Sequence, residues 1–381
     1  MNGGDHGRGD AKVHIKTPLL YSAPLSKRSS SLGGRSISVY LKLDNLQPSG
    51  SFKIRGLGNT ISKRARSSPG LHVISSSGGN AGLAASHAAN ALGLGCDVLV
   101  PSSAEEEVKA LMRAEGANVT VVGDAWDDCD VAAKALAEAQ AAKGIESCYV
   151  HPFEGDDVIE GHSSLGQEIY QQLRDEAGVE RGPDAVICSV GGGGLLRGLL
   201  RGIERARTES QPAPLIVTTQ CHGADAFSQS MSASVDKGAP QLVALDSITS
   251  KATSLGAKTC SRDAVKDALD YRAASNSRFS TVVMPDDLAR AAAWRFARDH
   301  RQIVELACAV AIAPLYFPDK VLNPHLIGKM EQRDEPLVIV VVVCGGNKSS
   351  TALMERYRLN EETRPQLVEE LQMQLDGALV K

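Results

Sequence analysis

Short apolar segments alternate with longer amphipathic segments along most of this chain, and this alternation limits the fold more than any other sequence feature. Strands that alternate with helices are typical of parallel sheets covered on both faces. The segment from Leu337 to Val343 is almost entirely Val and Ile, which is the pattern of a strand buried on both faces. The chain is therefore predicted to be an α/β protein with mostly parallel sheets.

The pattern predicts individual elements and shows no internal repeat. The predicted strands are Leu71 to Ser75, Asp97 to Val100, Val119 to Val122, Ala185 to Val190, Leu215 to Thr219 and Leu337 to Val343. The predicted helices are Asn80 to Leu92, Ala104 to Glu115, Trp126 to Ala142, Gly161 to Ala177, Leu195 to Arg207, Asp286 to Arg298 and Glu305 to Tyr316. Thr208 to Pro214 is a predicted polar loop, and the charged, periodic residues after Thr351 are predicted to form C-terminal helices.

Two domains are predicted from this order of elements. The smaller spans residues 52–148, and the larger combines residues 1–51 with residues 149–381. Lys53 would then lie at the crossing between the domains, where a ligand in the cleft would touch both.

Composition narrows the class of protein. The 381 residues carry a net charge of -4 and show no stripe of Lys and Arg interleaved with aromatics, which argues against a nucleic-acid partner. The first ten residues lack the apolar core of a signal peptide, and the apolar runs are too short to span a bilayer. The eight cysteines are scattered without a C-x-x-C pair, as expected of free thiols in a reducing compartment. A cytoplasmic protein without a membrane partner is therefore expected.

The segment from Pro48 to Gly56 contains the strongest catalytic candidate, Lys53, beside the aromatic ring of Phe52. Lysine becomes a nucleophile when its environment holds the amine neutral and directs it at a carbonyl. Most lysines are instead solvated surface charges, so Lys53 alone would carry little weight. Three glycine-rich segments elsewhere in the chain make the catalytic interpretation stronger.

Four consecutive glycines, Gly191 to Gly194, follow a predicted buried strand and precede a predicted helix. Such a run lets backbone N–H groups converge on an anion, and the helix N-terminus adds partial positive charge. A plain strand-to-helix turn is the alternative, although one or two glycines would suffice for it. Neither a Walker loop nor a dinucleotide fingerprint is present. The four glycines therefore favour a phosphate-binding loop.

The two other glycine-rich segments also end predicted strands. Ser75 to Asn80 offers hydroxyls, amides and a carboxamide at a helix start, which suits a substrate carboxylate but also an ordinary N-cap. Cys344 precedes Gly345 and Gly346, and a lone cysteine is more often a buried structural residue. From the residues alone, each of these two segments could be functional or structural.

Taken together, these motifs resemble a known family. P-S-G-S-F-K-I-R-G, S-G-G-N-A-G, G-G-G-G-L-L and V-V-C-G-G-N resemble the L-serine/L-threonine dehydratases, fold-type II pyridoxal-phosphate enzymes of the tryptophan synthase beta-like superfamily. The resemblance runs in order from about Thr17 to Leu353, and Cys344 with the stretch from Ser247 to Thr259 points to the serine dehydratase branch. It implies two open, twisted, mostly parallel sheets, each covered by helices, with the cofactor in the interdomain cleft.

The resemblance also implies roles for individual residues around pyridoxal 5'-phosphate. Lys53 would hold the cofactor as a Schiff base and act as the catalytic base, with Phe52 packed beside the ring. The other implied contacts are the phosphate with Gly191, Gly192, Gly193, Gly194 and Leu195, the ring oxygen with Asn80, the pyridine nitrogen with Cys344, and the substrate with Ser77, Gly78, Asn80 and Ala81.

The implied activity is that of a lyase of amino-acid metabolism, acting as a homodimer on a small amino-acid substrate. L-Serine would lose water and ammonia to give pyruvate, and L-threonine would give 2-oxobutyrate. A β-replacement synthase or a threonine synthase-like enzyme would keep the cofactor and change the chemistry. A degenerate cofactor-binding regulator is the non-enzyme alternative, which the intact Lys53, Asn80 and glycine run argue against.

Two departures from the family's pattern bear on chemistry. Gly78 stands where serine racemases carry a proton-donating serine, which predicts little racemisation. The family often binds a monovalent cation such as K⁺ near the phosphate loop, and the matching ligands here would be Gln220 with the carbonyls of Ala224 and Leu255. Gln220 replaces a carboxylate, and the loss of its charge predicts a weaker cation site.

Three titratable residues near the domain crossover have two interpretations. His151, Glu160 and His162 could act as acids or bases, but their place in the chain favours capping a helix or fixing the hinge. A structural role is therefore predicted for them.

Overall fold

The computed structural model describes residues 13–29, 36–321, 324–330, 335–363 and 372–380. The first ten residues, for which no signal peptide is expected, lie outside these ranges. In the described ranges the strands are β1 Leu19–Tyr21, β2 Ile37–Leu43, β3 His72–Ser75, β4 Gly95–Val100, β5 Asn118–Val121, β6 Ser147–Tyr149, β7 Ala185–Ser189, β8 Leu215–Cys221, β9 Phe279–Met284, β10 Leu337–Val343, β11 Met373–Leu375 and β12 Ala378–Val380. The α-helices there are α1 Ala23–Ser29, α2 Lys53–Ser67, α3 Asn80–Ala91, α4 Glu106–Ala114, α5 Trp126–Ala142, α6 Asp156–Ala177, α7 Gly194–Ala206, α8 Ala226–Val235, α9 Arg262–Ala274, α10 Asp286–His300, α11 Leu306–Tyr316, α12 Pro318–Val321, α13 Pro324–Gly328 and α14 Thr351–Thr363.

These elements form two compact units. The first contains the described residues of Met1–Lys16 and Gln47–His162, and the second those of Thr17–Leu46 and Ser163–Lys381. The predicted domain boundaries at residues 52 and 148 stay a prediction.

The first unit is built on a four-stranded sheet in the order β5-β4-β3-β6, with every pair parallel. Successive residues of a strand point to opposite faces. Val73 and Val98 accordingly join a core with residues of α2, α3 and α4, whereas Ile74 and Leu99 join a second core with residues of α5. The sheet is therefore covered by helices on both faces, as the alternation of strands with helices predicts.

The second unit is built on an eight-stranded sheet in the order β1-β2-β10-β7-β8-β9-β11-β12. The five strands from β2 to β9 in that order are parallel, and the pairs at both edges are antiparallel. All residues of β7, β8, β9 and β10 are buried. All residues of α11 are buried as well, and this helix packs on β7, β8 and β10. The predicted α/β fold with two mostly parallel, helix-covered sheets is confirmed.

The C-terminal prediction is wrong in part. Among the described residues of this stretch, α14 is a helix that begins at Thr351, but Met373–Leu375 and Ala378–Val380 form a hairpin that pairs with β9. Residues 364–371 lie outside the described ranges. Its turn is Asp376-Gly377, with φ angles of 48° and 83°. Asp-Gly is favoured in two-residue turns that need positive φ at both positions. The Asp-Gly dipeptide is the sequence feature that could have predicted this hairpin. Each of its two strands has only 3 residues, too few to show an alternating pattern.

A buried lysine anchors β2 in the second unit. The Lys42 side chain is fully buried, and its Nζ donates to Thr17 O at 2.7 Å, to Gln172 Oε1 at 2.7 Å and to Glu168 Oε2 at 2.6 Å. Buried charges persist when they are paired and hydrogen-bonded. These contacts therefore allow a charged side chain to be buried in this sheet.

Candidate active site

A tight turn sets the position of Lys53 in the first unit. Gly50 has a φ of 75°, and its N–H donates to Gln47 O at 2.7 Å. Glycine adopts this conformation without the strain that a Cβ would add. The chain then enters α2 directly, with Phe52 as the residue before the helix and Lys53 as its first residue. The Ser-Gly-Ser sequence therefore places Lys53 at a helix start.

The Lys53 amine has a carbonyl and an aromatic ring close by. Its Nζ donates to Pro152 O at 2.6 Å and lies 5.2 Å from the centroid of the Phe52 ring. Both side chains are half-buried. The Phe52 ring in turn packs against the fully buried His162, with 5.0 Å between ring centroids. The structure thus holds Lys53 in a partly desolvated setting, where a lysine can serve as a nucleophile.

The serine-glycine loop and the start of α3 form the second part of this unit's candidate site. Asn80 is the first residue of α3 and is buried, and Ala81 follows it in the core. The Gly79 N–H donates to Ser77 Oγ at 3.3 Å. A helix N-terminus presents N–H groups without intrahelical partners and favours negative charge. The loop and helix can therefore accept a carboxylate.

Two glycines allow this loop to lie close against its neighbours. A Cβ on Gly82 would be 1.9 Å from Ser77 O, so the loop carbonyl touches the first turn of α3. A Cβ on Gly78 would be 2.7 Å from the Cβ of Ala104. Gly78 thus leaves no room for a larger residue unless Ala104 moves.

His151 makes structural contacts of the kind predicted for it. Its Nδ1 accepts hydrogen bonds from the N–H groups of Phe153 at 3.3 Å and Glu154 at 2.9 Å, just before α6. Burial lowers the pKa of His151, although Glu154 and Asp130 act in the opposite direction. A neutral ring that accepts two backbone hydrogen bonds stabilises this turn.

The four-glycine run lies in the second unit between β7 and α7. Gly193 has a φ of 102° and directly precedes α7, and a Cβ there would be 2.3 Å from the Cβ of Ala264. A Cβ on Gly191 would be 3.1 Å from the Cα of Leu255. Backbone strain and close packing therefore both require glycine in this loop. Its geometry, with a 13-residue helix behind it, fits an anion such as a phosphate.

Cys344 lies at the carboxyl end of β10 and is buried. Its Sγ is 3.5 Å from the Oγ of Ser189, the last residue of the neighbouring strand β7. Ser189 was not among the predicted site residues, although only Val190 separates it from the glycine run. The following Gly346 has a φ of 128°, and a Cβ there would be 1.9 Å from Glu305 Cδ. Gly346 thus allows Glu305 to approach the backbone.

The residues of the candidate cation site lie in the second unit, and it is the side-chain nitrogen of Gln220, not its oxygen, that faces the carbonyl of Ala224. Gln220 Nε2 donates to Ala224 O at 3.0 Å and to Val190 O at 2.8 Å. Leu255 O accepts from Ala257 N at 2.8 Å. A nitrogen with two hydrogens occupies the place where a cation would need an oxygen ligand, so this donor set does not fit K⁺. Among the described residues, no group of three or more His, Cys, Asp or Glu is arranged to hold a metal ion either.

The predicted site residues thus fall into two groups, one in each unit. The first unit brings together Phe52 with Lys53, and Ser77 with Gly78, Asn80 and Ala81. The second brings together the glycine run, Leu195, Cys344 and the residues around Gln220. An amine, a carboxamide, two helix N-termini and a glycine loop that is tightly packed at Gly191 and Gly193 are the kinds of group that bind pyridoxal phosphate. In the described ranges, no helix is long and apolar enough to cross a membrane.

Comparison with known proteins extends this match along the chain. Residues 11–366 match the family model described as pyridoxal-phosphate dependent enzyme. The chain is 36% identical to a Homo sapiens L-serine dehydratase/L-threonine deaminase, over 89% of this chain and 93% of that protein. It is 34% identical to a Saccharomyces cerevisiae L-serine dehydratase, over 87% of this chain and 93% of that protein. A solved L-serine ammonia-lyase from Rhizomucor miehei is 30% identical, with a TM-score of 0.74 over 91% of this chain and 98% of that one.

Proposed function

Because this chain belongs to the pyridoxal-phosphate dependent enzyme family, we propose that it is a lyase that removes water and ammonia from L-serine to give pyruvate. L-Threonine is the second proposed substrate, with 2-oxobutyrate as the product. The observation that carries this proposal is the match over nearly the whole length of relatives named L-serine dehydratase, together with Lys53 at the start of α2.

In this proposal, residues of the chain bind, orient and deprotonate the substrate. Lys53 would hold the cofactor, and its amine would also be the base that takes the proton from Cα of the substrate. The helix start at Ser77, Asn80 and Ala81 binds the substrate carboxylate. Asn80 also holds the cofactor's ring oxygen, and the glycine run with Leu195 holds its phosphate. When bound, pyridoxal phosphate supplies the electron sink that makes loss of the Cα proton accessible.

Cys344 is proposed to bias the reaction toward elimination. Cys344 would face the pyridine nitrogen of the bound cofactor, and a thiol, unlike a carboxylate, does not stabilise a protonated ring. A cofactor held in this way would store less negative charge, which would favour loss of the β-hydroxyl over transamination. Cys344→Asp should raise transamination relative to pyruvate formation, measured as the ratio of the two products from L-serine. An unchanged ratio in a folded variant would contradict this role.

Gly78 is proposed to keep the enzyme from racemising its substrate. It has no side chain to deliver a proton, and a Cβ added there would lie 2.7 Å from the Ala104 Cβ, which restricts any replacement. D-Serine should therefore form far more slowly than pyruvate when both are followed in the same reaction by chiral chromatography. Comparable rates of the two products would count against this proposal.

Assembly and location are also proposed. We infer a homodimer from the resemblance to the serine dehydratases, and light scattering of the purified protein tests it. We infer a cytoplasmic location from eight buried free cysteines, which suit a reducing compartment. Microscopy of the tagged full chain tests that inference.

The decisive experiment for cofactor attachment is reduction with borohydride followed by peptide mapping. A pyridoxyl group is expected on Lys53, and Lys53→Ala should lose the visible absorbance band of the holoenzyme. Lys63→Ala is the matched control, because Lys63 lies in the same helix but is exposed and paired with Asp157. An adduct on another lysine, or none at all, would remove the basis of the proposal.

Turnover is tested separately with L-serine and L-threonine, by detecting 2-oxo acids. Adding a thiol to the L-serine reaction distinguishes elimination from β-replacement, since replacement yields a thioether in place of pyruvate. A protein that binds cofactor at Lys53 and yields neither product would be a regulator instead of an enzyme.

A further inference from the structure

The carboxamide of Gln220 connects three separate segments of the second unit. Gln220 lies in β8 and is 2% exposed. Its Nε2 donates to Val190 O at 2.8 Å and to Ala224 O at 3.0 Å. Its Oε1 accepts from the N–H of Ser228 at 2.7 Å. All its strong donors, and one lone pair of its oxygen, are thus used inside the protein.

These partners determine which way the carboxamide points. The Ser228 N–H is a donor, so the atom that faces it must be the oxygen. The carbonyls of Val190 and Ala224 are acceptors, so the atom between them must be the nitrogen. A flipped amide would oppose donor to donor once and acceptor to acceptor twice, which the hydrogen-bond network forbids. The nitrogen therefore lies where two backbone carbonyl oxygens converge.

Two converging carbonyls would be a natural start for a monovalent cation site, and a carboxylate would complete it. Here the carbonyls are already satisfied by the two N–H bonds of Gln220. A cation at this point would have to break both bonds and would face the positive end of the amide dipole. A glutamate at position 220 would instead bring a carboxylate oxygen to within about 3 Å of both carbonyls, and only a proton or a cation would relieve that contact.

We propose that the Gln220 carboxamide takes the place of a monovalent cation in this protein and makes it independent of potassium. Val190 is the residue directly before the glycine run, and Ala224 and Ser228 flank the start of α8. The Ser228 N–H belongs to the first turn of that helix, where backbone donors lack intrahelical partners. Gln220 therefore ties the end of β7 to α8 and acts as a positioning residue for the glycine run.

The contacts of Gln220 do not depend on any ligand, but their consequence for cofactor binding rests on the proposed function. The first measurement therefore uses the protein without cofactor. Its thermal unfolding midpoint is recorded in potassium, sodium and tetramethylammonium chloride at equal ionic strength. The three midpoints are expected to agree within about 1 °C, since a cation that binds the native state selectively would raise the midpoint. A rise specific to potassium in the wild-type protein would overturn the proposal.

The second measurement uses a variant in which a carboxylate replaces the Gln220 carboxamide. Gln220→Glu at pH 8 should lower the midpoint in tetramethylammonium and recover about 4 °C or more in potassium, because the cation then bridges the carboxylate and both carbonyls. Gln172→Glu is the matched control, since Gln172 is also buried in the second unit but contacts Lys42. It should show no response to potassium. A folded Gln220→Glu protein that ignores potassium would also overturn the proposal.

Cofactor affinity supplies a third measurement, and it does not need Gln220→Glu to fold. The dissociation constant of pyridoxal phosphate, from absorbance titration, should change less than about twofold between potassium and tetramethylammonium in the wild-type protein. Gln220→Met should weaken binding at least tenfold in both salts, because it removes the hydrogen bonds without creating a cation ligand. Potassium-dependent affinity in the wild-type protein, or rescue of Gln220→Met by potassium, would contradict the proposal. A wild-type protein that binds no cofactor would instead refute the proposed function. The unfolding measurements in the three salts would still test the proposal about Gln220.

Discussion

Replacing Gly82 by alanine would place a methyl group 1.9 Å from the Ser77 carbonyl oxygen. Ordinary contact begins at 3.4 Å, so the Ser77 carbonyl and the helix would have to separate by 3.4 − 1.9 = 1.5 Å. Overpacking of this kind costs about 1–3 kcal/mol, and the higher helix propensity of alanine offsets about 1 kcal/mol of it. The free energy of unfolding should therefore fall by about 2 kcal/mol at most.

The effect on substrate binding should be larger than the effect on stability. A loop displaced by 1.5 Å loses a hydrogen bond of normal length to the substrate carboxylate. One hydrogen bond to a charged group contributes about 1.5–3 kcal/mol, which corresponds to a loss of about tenfold to a hundredfold in kcat/KM. We expect the loss to appear mainly as a higher KM for L-serine, because the carboxylate contact holds the substrate before and during the reaction.

The assay pairs steady-state pyruvate formation with urea unfolding of the same preparation. Gly328→Ala is the control, since nothing lies within 4 Å of a Cβ at that position, and it should leave both measurements unchanged. Gly82→Ala with wild-type KM would refute the reasoning, because the contact with Ser77 O would then have been absorbed without moving the loop. A fall in kcat alone would show that the loop does not bind the carboxylate.

Three further predictions follow from positions described above. Gly193→Ala, with a φ of 102° and a Cβ 2.3 Å from that of Ala264, should weaken pyridoxal-phosphate binding at least tenfold in an absorbance titration. Gly70→Ala, at a φ of 84° in open space, carries similar strain and should not weaken it. Lys42→Met should lower the free energy of unfolding in urea by about 3–5 kcal/mol, because it leaves buried acceptors without their cation; a loss below 1 kcal/mol would contradict this. Burial lowers the pKa of His151 in the folded state, so the unfolded chain takes up this proton at a higher pH than the folded chain does, and stability should decrease as the pH is lowered below about 6.5. His151→Gln should reduce that slope by up to about 1.4 kcal/mol per pH unit in unfolding measurements across pH 5 to 7, and an unchanged slope would assign it to other groups.

The elements that local pattern predicted well are those whose surroundings are uniform. The Leu337 to Val343 strand is found with the same ends, because a strand buried on both faces needs no polar residue until it stops. β2 was missed because Ser38, Tyr40 and Lys42 interrupt its apolar residues. Lys42 is buried only because Thr17, Glu168 and Gln172 meet it, and partners so far apart in sequence are invisible to a local pattern.

In the candidate site, too, some features follow from local sequence and others depend on residues far apart in the chain. Glycine runs and the Phe52-Lys53 pair are local features, and the structure gives physical reasons for them in positive φ angles and short Cβ separations. The sequence also identified Gln220 as a departure from a carboxylate. It could not reveal that the amide nitrogen faces the carbonyls, because that orientation depends on Ser228 and Val190. The chemical type of the side chain at position 220 was therefore predictable, whereas the direction of its amide group depends on the fold.

Alkylation of the eight cysteines can report where this protein opens locally. All are buried, and burial raises the pKa of Cys96 and Cys188 to about 12 and that of Cys129 to about 11. Alkylating reagents attack thiolates that they can reach, so the native molecule should be nearly silent toward them at neutral pH. Each modification event then records a transient exposure, in the manner of hydrogen exchange. Cys96, Cys129 and Cys148 lie in the first unit and the other five cysteines in the second. Mass spectrometry of labelled peptides would therefore show which unit opens first.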